Sequence, residues 1–190
     1  MPGAARRAWR LEQDRLRRDG LPLWSLHNEI LQPALITLAL WSVLVAWLGL
    51  AVLPFLLAMS LWANFQLTSA NYIEHYGLLR GRRPDGRYEM CKPHHSWNSN
   101  HVFSNWALFH LQRHSDHHAH PGRRYQSLRH FENLPQLPSG YFGMFLVAYV
   151  PPLWYRVMDR RLIEAVGGDA NRINFQPDQR VRLMRNYGLH

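Results

Sequence analysis

Pro33-Ala-Leu-Ile-Thr-Leu-Ala-Leu-Trp-Ser-Val-Leu-Val-Ala-Trp-Leu-Gly-Leu-Ala-Val-Leu53 is an apolar run with no charged residue. At 1.5 Å per residue, about twenty such residues cross a hydrocarbon core of roughly 30 Å. Pro54 follows, and a second apolar stretch continues from Phe55 to Ala70. From Ile30 to Ile73 there is no Asp, Glu, Lys or Arg. A helix in the core of a soluble protein normally keeps a polar face, and none is present. A secretory signal would start nearer Met1. The stretch therefore reads as two transmembrane helices, residues 30–73, joined by a tight turn between Gly49 and Pro54.

The flanks support a hairpin. Arg6, Arg7, Arg10, Arg15, Arg17 and Arg18 precede it, and Arg80, Arg82, Arg83, Arg87 and Lys92 follow it. Basic residues at both ends put both on the cytoplasmic side of the inner membrane. Residues 1–29 read as a basic cytoplasmic arm, either an amphipathic helix or flexible. Residues 71–190 read as cytoplasmic helices bearing the histidines. The expected fold is all-α and integral to the membrane. The formal charge of +9 allows nucleic acid, an anionic membrane surface or an acidic protein as partner. The charge-free stretch favours membrane lipid. Arg82-Arg83-Pro84-Asp85-Gly86-Arg87 is a turn without aromatic interleaving, so nucleic acid is not expected.

The chemistry concentrates in His110-Leu111-Gln112-Arg113-His114-Ser115-Asp116-His117-His118. In a continuous helix these histidines, at i, i+4, i+7 and i+8, share one face. Imidazoles crowded in this way resist joint protonation, and a shared cation relieves them. Neutral imidazole is a common ligand of iron and zinc. The second apolar helix runs into Asn71-Tyr72-Ile73-Glu74-His75, which delivers His75 to the membrane rim. His75, His114, His117 and His118 are the expected metal ligands. His110 lies on the same arc one turn earlier. Glu74 and Asp116 are candidates to orient ligand rings by accepting their second N–H. Asn71 shares a face with His75. His94, His95, His101, His120, His130 and His190 read as ordinary structural or surface histidines. With Cys91 the lone cysteine, a cysteine-ligated cluster within one chain is excluded. Nitrogen ligation without cysteine fits non-haem iron or zinc, and a membrane site favours iron.

Trp97, Phe103, Trp106 and Phe109 read as core packing. Gly140 to Tyr155 is apolar but interrupted by Pro151-Pro152, and reads as a re-entrant or interfacial segment.

The chain resembles the membrane-bound non-haem di-iron alkane 1-monooxygenases. The likeness rests on Asn71-Tyr-Ile-Glu-His-Tyr-Gly-Leu78, Ser96-Trp-Asn-Ser-Asn100 and Leu111-Gln-Arg-His-Ser-Asp-His-His118. Tyr125-Gln-Ser-Leu128, Leu137-Pro-Ser-Gly-Tyr141 and Pro151-Pro-Leu-Trp154 add to it. It covers the chain from about Leu21 onward. The resemblance implies that His75, His114, His117 and His118 help hold two irons. It also implies hydroxylation of the terminal methyl of n-alkanes by dioxygen, with electrons from rubredoxin and its NAD(P)H-dependent reductase.

The family also carries histidine boxes upstream, and these are absent: His27 is the only histidine before His75. The chain therefore reads as the C-terminal portion of such an enzyme, and four ligands are too few for two irons. It is expected to be inactive alone. The alternatives are a non-catalytic membrane remnant or subunit of a split enzyme, or a related fatty acid desaturase or aromatic-methyl hydroxylase.

Overall fold

The computed structural model describes residues 2–189, so His190 lies outside the described residues. These residues form helices α1 (Pro2–Arg18), α2 (Leu31–Leu48), α3 (Leu53–His75), α4 (Val102–Ala107), α5 (His114–Ala119), α6 (Tyr141–Ala148), α7 (Pro151–Ala165) and α8 (Arg180–Tyr187). No strand occurs among the described residues, only isolated bridges such as Leu78 with Ile173. The fold is all-α, as the sequence predicts. The chain divides into two units, Met1–Ala63 and Asn64–His190, with the division inside α3.

In the first unit, the basic arm is helical rather than flexible. Leu16 is buried. Glu12 accepts hydrogen bonds from the Arg15 guanidinium at 2.6 and 2.9 Å and from the Glu29 N–H at 2.7 Å. The Arg15 guanidinium also donates to the His27 carbonyl at 2.7 Å. These contacts fold the segment after α1 back onto it. The Asn28 side chain, fully buried, accepts from the Ile30 and Leu31 N–H groups and so satisfies donors at the start of α2. Gly49, at φ +81°, ends α2 in a conformation that favours glycine. Pro54 falls at the start of α3, where its missing N–H costs nothing.

Two helical spans, Leu31–Leu48 and Leu50–His75, are long and apolar enough to cross a membrane, and none of their most apolar 18-residue windows is buried. Trp47 and Leu61 are among the side chains left exposed. Apolar surface presented outward along bilayer-length helices is matched by lipid, not water.

In the second unit, Ile73, Trp97, Tyr141, Met144, Trp154 and Met158 form the centre of the core. The Trp97 indole N–H donates to the Tyr76 carbonyl at 2.8 Å, tying the end of α3 to the following loop. Gly77 turns the chain at φ +70°, and its carbonyl accepts from the Asn174 N–H at 2.8 Å. A Cβ there would lie 2.1 Å from Leu162 Cδ2. Gly77→Ala is therefore expected to cost about 2 kcal/mol, from left-handed strain plus displacement of Leu162. Thermal unfolding in detergent micelles measures it, and an unchanged midpoint would show that the turn relaxes freely.

Two expectations need correction. The helix expected across His110–His118 begins only at His114, because Phe109 and His110 hold φ of +50° and +59° and break the path from α4. The buried Gln112 side chain donates to the His101 carbonyl at 2.7 Å and holds this reversal. Of the four aromatics assigned to the core, only Trp97 is there: Phe103, Trp106 and Phe109 are exposed. The inward positions of α4 are instead Ser104 and Asn105, and a Cβ on Gly140 would sit 2.4 Å from Ser104 Oγ. Close approach of Gly140 leaves room only for a small residue at 104. The apolar segment from Gly140 to Tyr155 forms α6 and the first turn of α7, with Pro151 and Pro152 opening α7.

Candidate metal centre

His75 is the last residue of α3, and His114 and His118 lie one turn apart on α5. His114 Nε2 stands 3.3 Å from His75 Nε2 and 2.8 Å from His118 Nε2. One nitrogen from each ring falls within 4.8 Å of the others. His117 stands beside them, its ring centre 5.9 Å from that of His114 and 5.6 Å from that of His118. Three of the four expected ligands thus converge, and the fourth is adjacent but outside the trio. His110 is not on this face. Its Nδ1 faces the Tyr125 carbonyl at 3.1 Å, a structural contact in the turn.

Burial pushes the His114 imidazole down to about 2, and the neighbouring His118, His75 and His117 rings add to the effect. His118 is lowered for the same reasons, burial first and then the facing His75 and His117. Both rings are held neutral, with lone pairs available for a metal.

Glu74 and Asp116 do not take the expected roles. Glu74 Oε2 lies 3.4 Å from His114 Nε2, the nitrogen that faces the other rings, so Glu74 approaches from the ligating side. The Tyr141 hydroxyl lies against the same carboxylate, and the buried His114 ring also faces the Leu111 backbone. Asp116 is turned away and is not a solvated helix charge. It accepts from Arg123 Nη1 at 2.7 and 2.5 Å, from the Arg129 N–H at 2.9 Å and from Arg129 Nη2 at 3.1 Å. It orders the chain after α5, because its hydrogen-bond donors are Arg123 and Arg129, with His120 Nε2 at 3.9 Å, and none is one of the converging rings. Asn71 lies one turn before His75 and lines a cavity of about 890 Å³ beside it.

Two of the histidines read as structural or surface residues make contacts within the fold. His95 Nδ1 accepts from the Lys92 N–H at 3.0 Å, and its Nε2 faces Glu89 at 3.2 Å. His101 pairs with Ser99 Oγ at 3.0 Å. Asn98 was not singled out by its chemistry. Its Oδ1 accepts from the Ser115 N–H at 2.9 Å, and its Nδ2 donates to Ser115 Oγ at 2.6 Å and Ser96 O at 3.1 Å. It anchors the first turn of α5, and its only trace in the sequence is the Ser96–Asn100 motif.

The donor set fits a metal. Two neutral imidazole nitrogens in contact share one proton, and a third nitrogen with a carboxylate at the same point cannot all be satisfied by hydrogen bonds. Ligands at metal bonds of about 2.1 Å are themselves separated by roughly 3 Å, as these nitrogens are. The Glu74 carboxylate, with the buried Tyr141 hydroxyl against it, adds an oxygen donor on the side of the imidazoles.

An all-α chain with two bilayer-length apolar helices, one ending in a histidine that meets two more from α5, defines a membrane protein of the histidine-cluster class. Residues 2–157 match the family model described as fatty acid desaturase, and the chain belongs to that family. It is 56% identical over 189 residues to alkane 1-monooxygenase 1 of Alcanivorax borkumensis, covering 100% of this chain and 47% of that protein. To alkane 1-monooxygenase of Ectopseudomonas oleovorans it is 55% identical over 188 residues, 99% of this chain and 47% of that protein. To the xylene/toluene monooxygenase hydroxylase component of Pseudomonas putida it is 31% identical over 160 residues, 82% of this chain and 41% of that protein. The chain spans about half the length of the curated relatives it matches.

Proposed function

We propose that this chain is the C-terminal portion of an alkane 1-monooxygenase-like membrane enzyme that hydroxylates terminal methyl groups of n-alkanes with dioxygen. The observation that carries this reading is the convergence of His75, His114 and His118, within the stretches that resemble that family, in a chain 56% identical to an alkane 1-monooxygenase. When bound, non-haem iron supplies oxygen-activating redox chemistry. His75, His114, His117 and His118 would hold it, with Glu74 alongside. Neutral rings at His114 and His118 keep nitrogen lone pairs available, with His114 buried and His118 open on one side. An alkane has no hydrogen-bonding handle, so selectivity comes from apolar shape. Electrons arrive from rubredoxin and its NAD(P)H-dependent reductase, and an acidic carrier suits a chain of net charge +9. The basic flanks put both ends of the helix pair, and the trio, on the cytoplasmic side of the inner membrane.

Four histidines are too few for two irons, so the remaining ligands come from polypeptide outside this sequence. The chain alone is expected to make no alkanol from octane under ¹⁸O₂ with rubredoxin, reductase and NADH. Co-expression with the preceding half of the Alcanivorax relative is expected to restore labelled 1-octanol. Product from the chain alone would overturn the incompleteness. Labelled product from p-xylene but not from octane in the complemented pair would favour the aromatic-methyl reading, which the 31% relative supports. A remnant would yield no product from either substrate, and a desaturase would introduce a double bond into an acyl chain.

A further inference from the structure

The helix α4 is inverted relative to a helix in water. Its buried positions are the polar Ser104 and Asn105, whereas Val102 is 85% exposed and Trp106 76%. Asn105 is satisfied within the fold, donating to Asn100 Oδ1 at 2.8 Å. Helix α6 is apolar on both faces. It buries Tyr141, Met144 and Phe145 and leaves Leu146 71% exposed. Residues 133–155 contain no Asp, Glu, Lys or Arg, and neither do residues 93–112. These two charge-free segments meet: the Phe103 ring lies 5.4 Å from that of Phe142. At the other end of α6, the Tyr149 ring stacks on Phe65 of α3 at 5.1 Å, and its hydroxyl donates to Gln66 Oε1 at 3.0 Å. One aromatic row therefore runs from α4 across α6 to α3, a candidate membrane span.

We infer that the outer face of α4 and α6 is embedded in a lipid surface, at the boundary between headgroups and acyl chains. A helix of six residues is about 9 Å long and one of eight about 12 Å, too short to span a bilayer. Helices of this kind, apolar outward and continuous with a spanning helix, lie in the interfacial layer. Trp106 and Tyr149 are residue types that favour that depth, having an apolar ring and a polar edge. At the rim the Tyr125 ring packs on Phe109 at 5.2 Å, and the adjacent Arg124 carries charge suited to lipid phosphate. The occupant is lipid rather than another protein because the row ends on α3, a bilayer-length helix whose apolar surface is itself left exposed.

Spin-label collision measurements on the full chain test this. The chain, with Cys91→Ser as background, is reconstituted in vesicles of phosphatidylcholine and phosphatidylglycerol. Labels are placed through Trp106→Cys, Val102→Cys and Leu146→Cys, with Tyr88→Cys in the polar Arg82–Tyr88 turn as control. Oxygen partitions into lipid, and a nickel chelate stays in water. The oxygen-to-nickel collision ratio is expected to be several-fold higher at 102, 106 and 146 than at 88. Free access of the nickel chelate to α4 and α6 would overturn the inference. Exclusion of both reagents would overturn it too, by showing a protein cover such as a second copy of this chain. Val102→Cys reads the same face should Trp106→Cys fail to fold. Neither outcome depends on metal content or activity.

Discussion

Replacing His114 with alanine is expected to abolish the stabilisation of this chain by added metal. Both short contacts in the trio run through His114 Nε2, at 2.8 Å to His118 and 3.3 Å to His75. Without it, His75 and His118 remain on separate helices, their ring centres 5.0 Å apart. A ligand that binds only the folded state stabilises it by about 2.7 kcal/mol at a hundred times its Kd. For a chain of this size that raises the unfolding midpoint by roughly 5–10 °C. The wild-type chain titrated anaerobically with Fe²⁺ in micelles is expected to show this rise and His114→Ala none. In the metal-free chain the substitution costs less, because the lost packing is offset by removal of a crowded, desolvated imidazole. His117→Ala is expected to weaken the metal effect without abolishing it, since that ring stands outside the trio. His110→Ala should keep the full effect, its Nδ1 being committed to the Tyr125 carbonyl. A metal-dependent rise that survives in His114→Ala would remove the trio as the binding site.

Legibility from sequence followed the range of the interactions. The apolar run was readable because bilayer thickness imposes a length on consecutive residues, and α2 and α3 fall where it stands. His114 and His118 were readable as a pair because i and i+4 share a helix face. The start of that helix was not readable, because it depends on positive φ at Phe109 and His110, residue types that give no warning of it. Asn98 and Ser115 meet across seventeen positions, and no local pattern records the contact. Phe103 and Trp106 were assigned inward by a rule that holds in water. Ser104 and Asn105 are buried in their place, an inversion that the inferred lipid contact of α4 would explain.

The second large effect is expected at Asp116. Its carboxylate is 1% exposed and lies between His114 and His117 on α5. Asp116→Ala leaves the Arg129 N–H without its acceptor and frees the Arg123 and Arg129 guanidinium groups. Removing one member of a buried charged pair costs 3–5 kcal/mol when the partner stays buried. Here the guanidinium groups are partly exposed, with side-chain accessibilities of 25% and 52%, and can turn to water. The expected loss is therefore about 3 kcal/mol, a fall of roughly 6–12 °C in the unfolding midpoint. Burial alone would raise the Asp116 carboxyl. The hydrogen bonds from the Arg129 backbone and guanidinium and from Arg123 outweigh it and hold the group below 3.8. A carboxyl depressed on folding stabilises fully above its unfolded pKa and loses that contribution as pH falls through the folded one. Wild type should therefore lose stability below about pH 4 more steeply than Asp116→Ala. Because α5 carries His114, His117 and His118, loosening the chain after it should also weaken Fe²⁺ binding, by about tenfold to a hundredfold. Asp116→Asn separates the two effects. It keeps an acceptor for the Arg129 N–H but not the charge, so it should retain more stability than alanine. Equal midpoints for wild type and Asp116→Ala would show that the arginine tie does not hold α5.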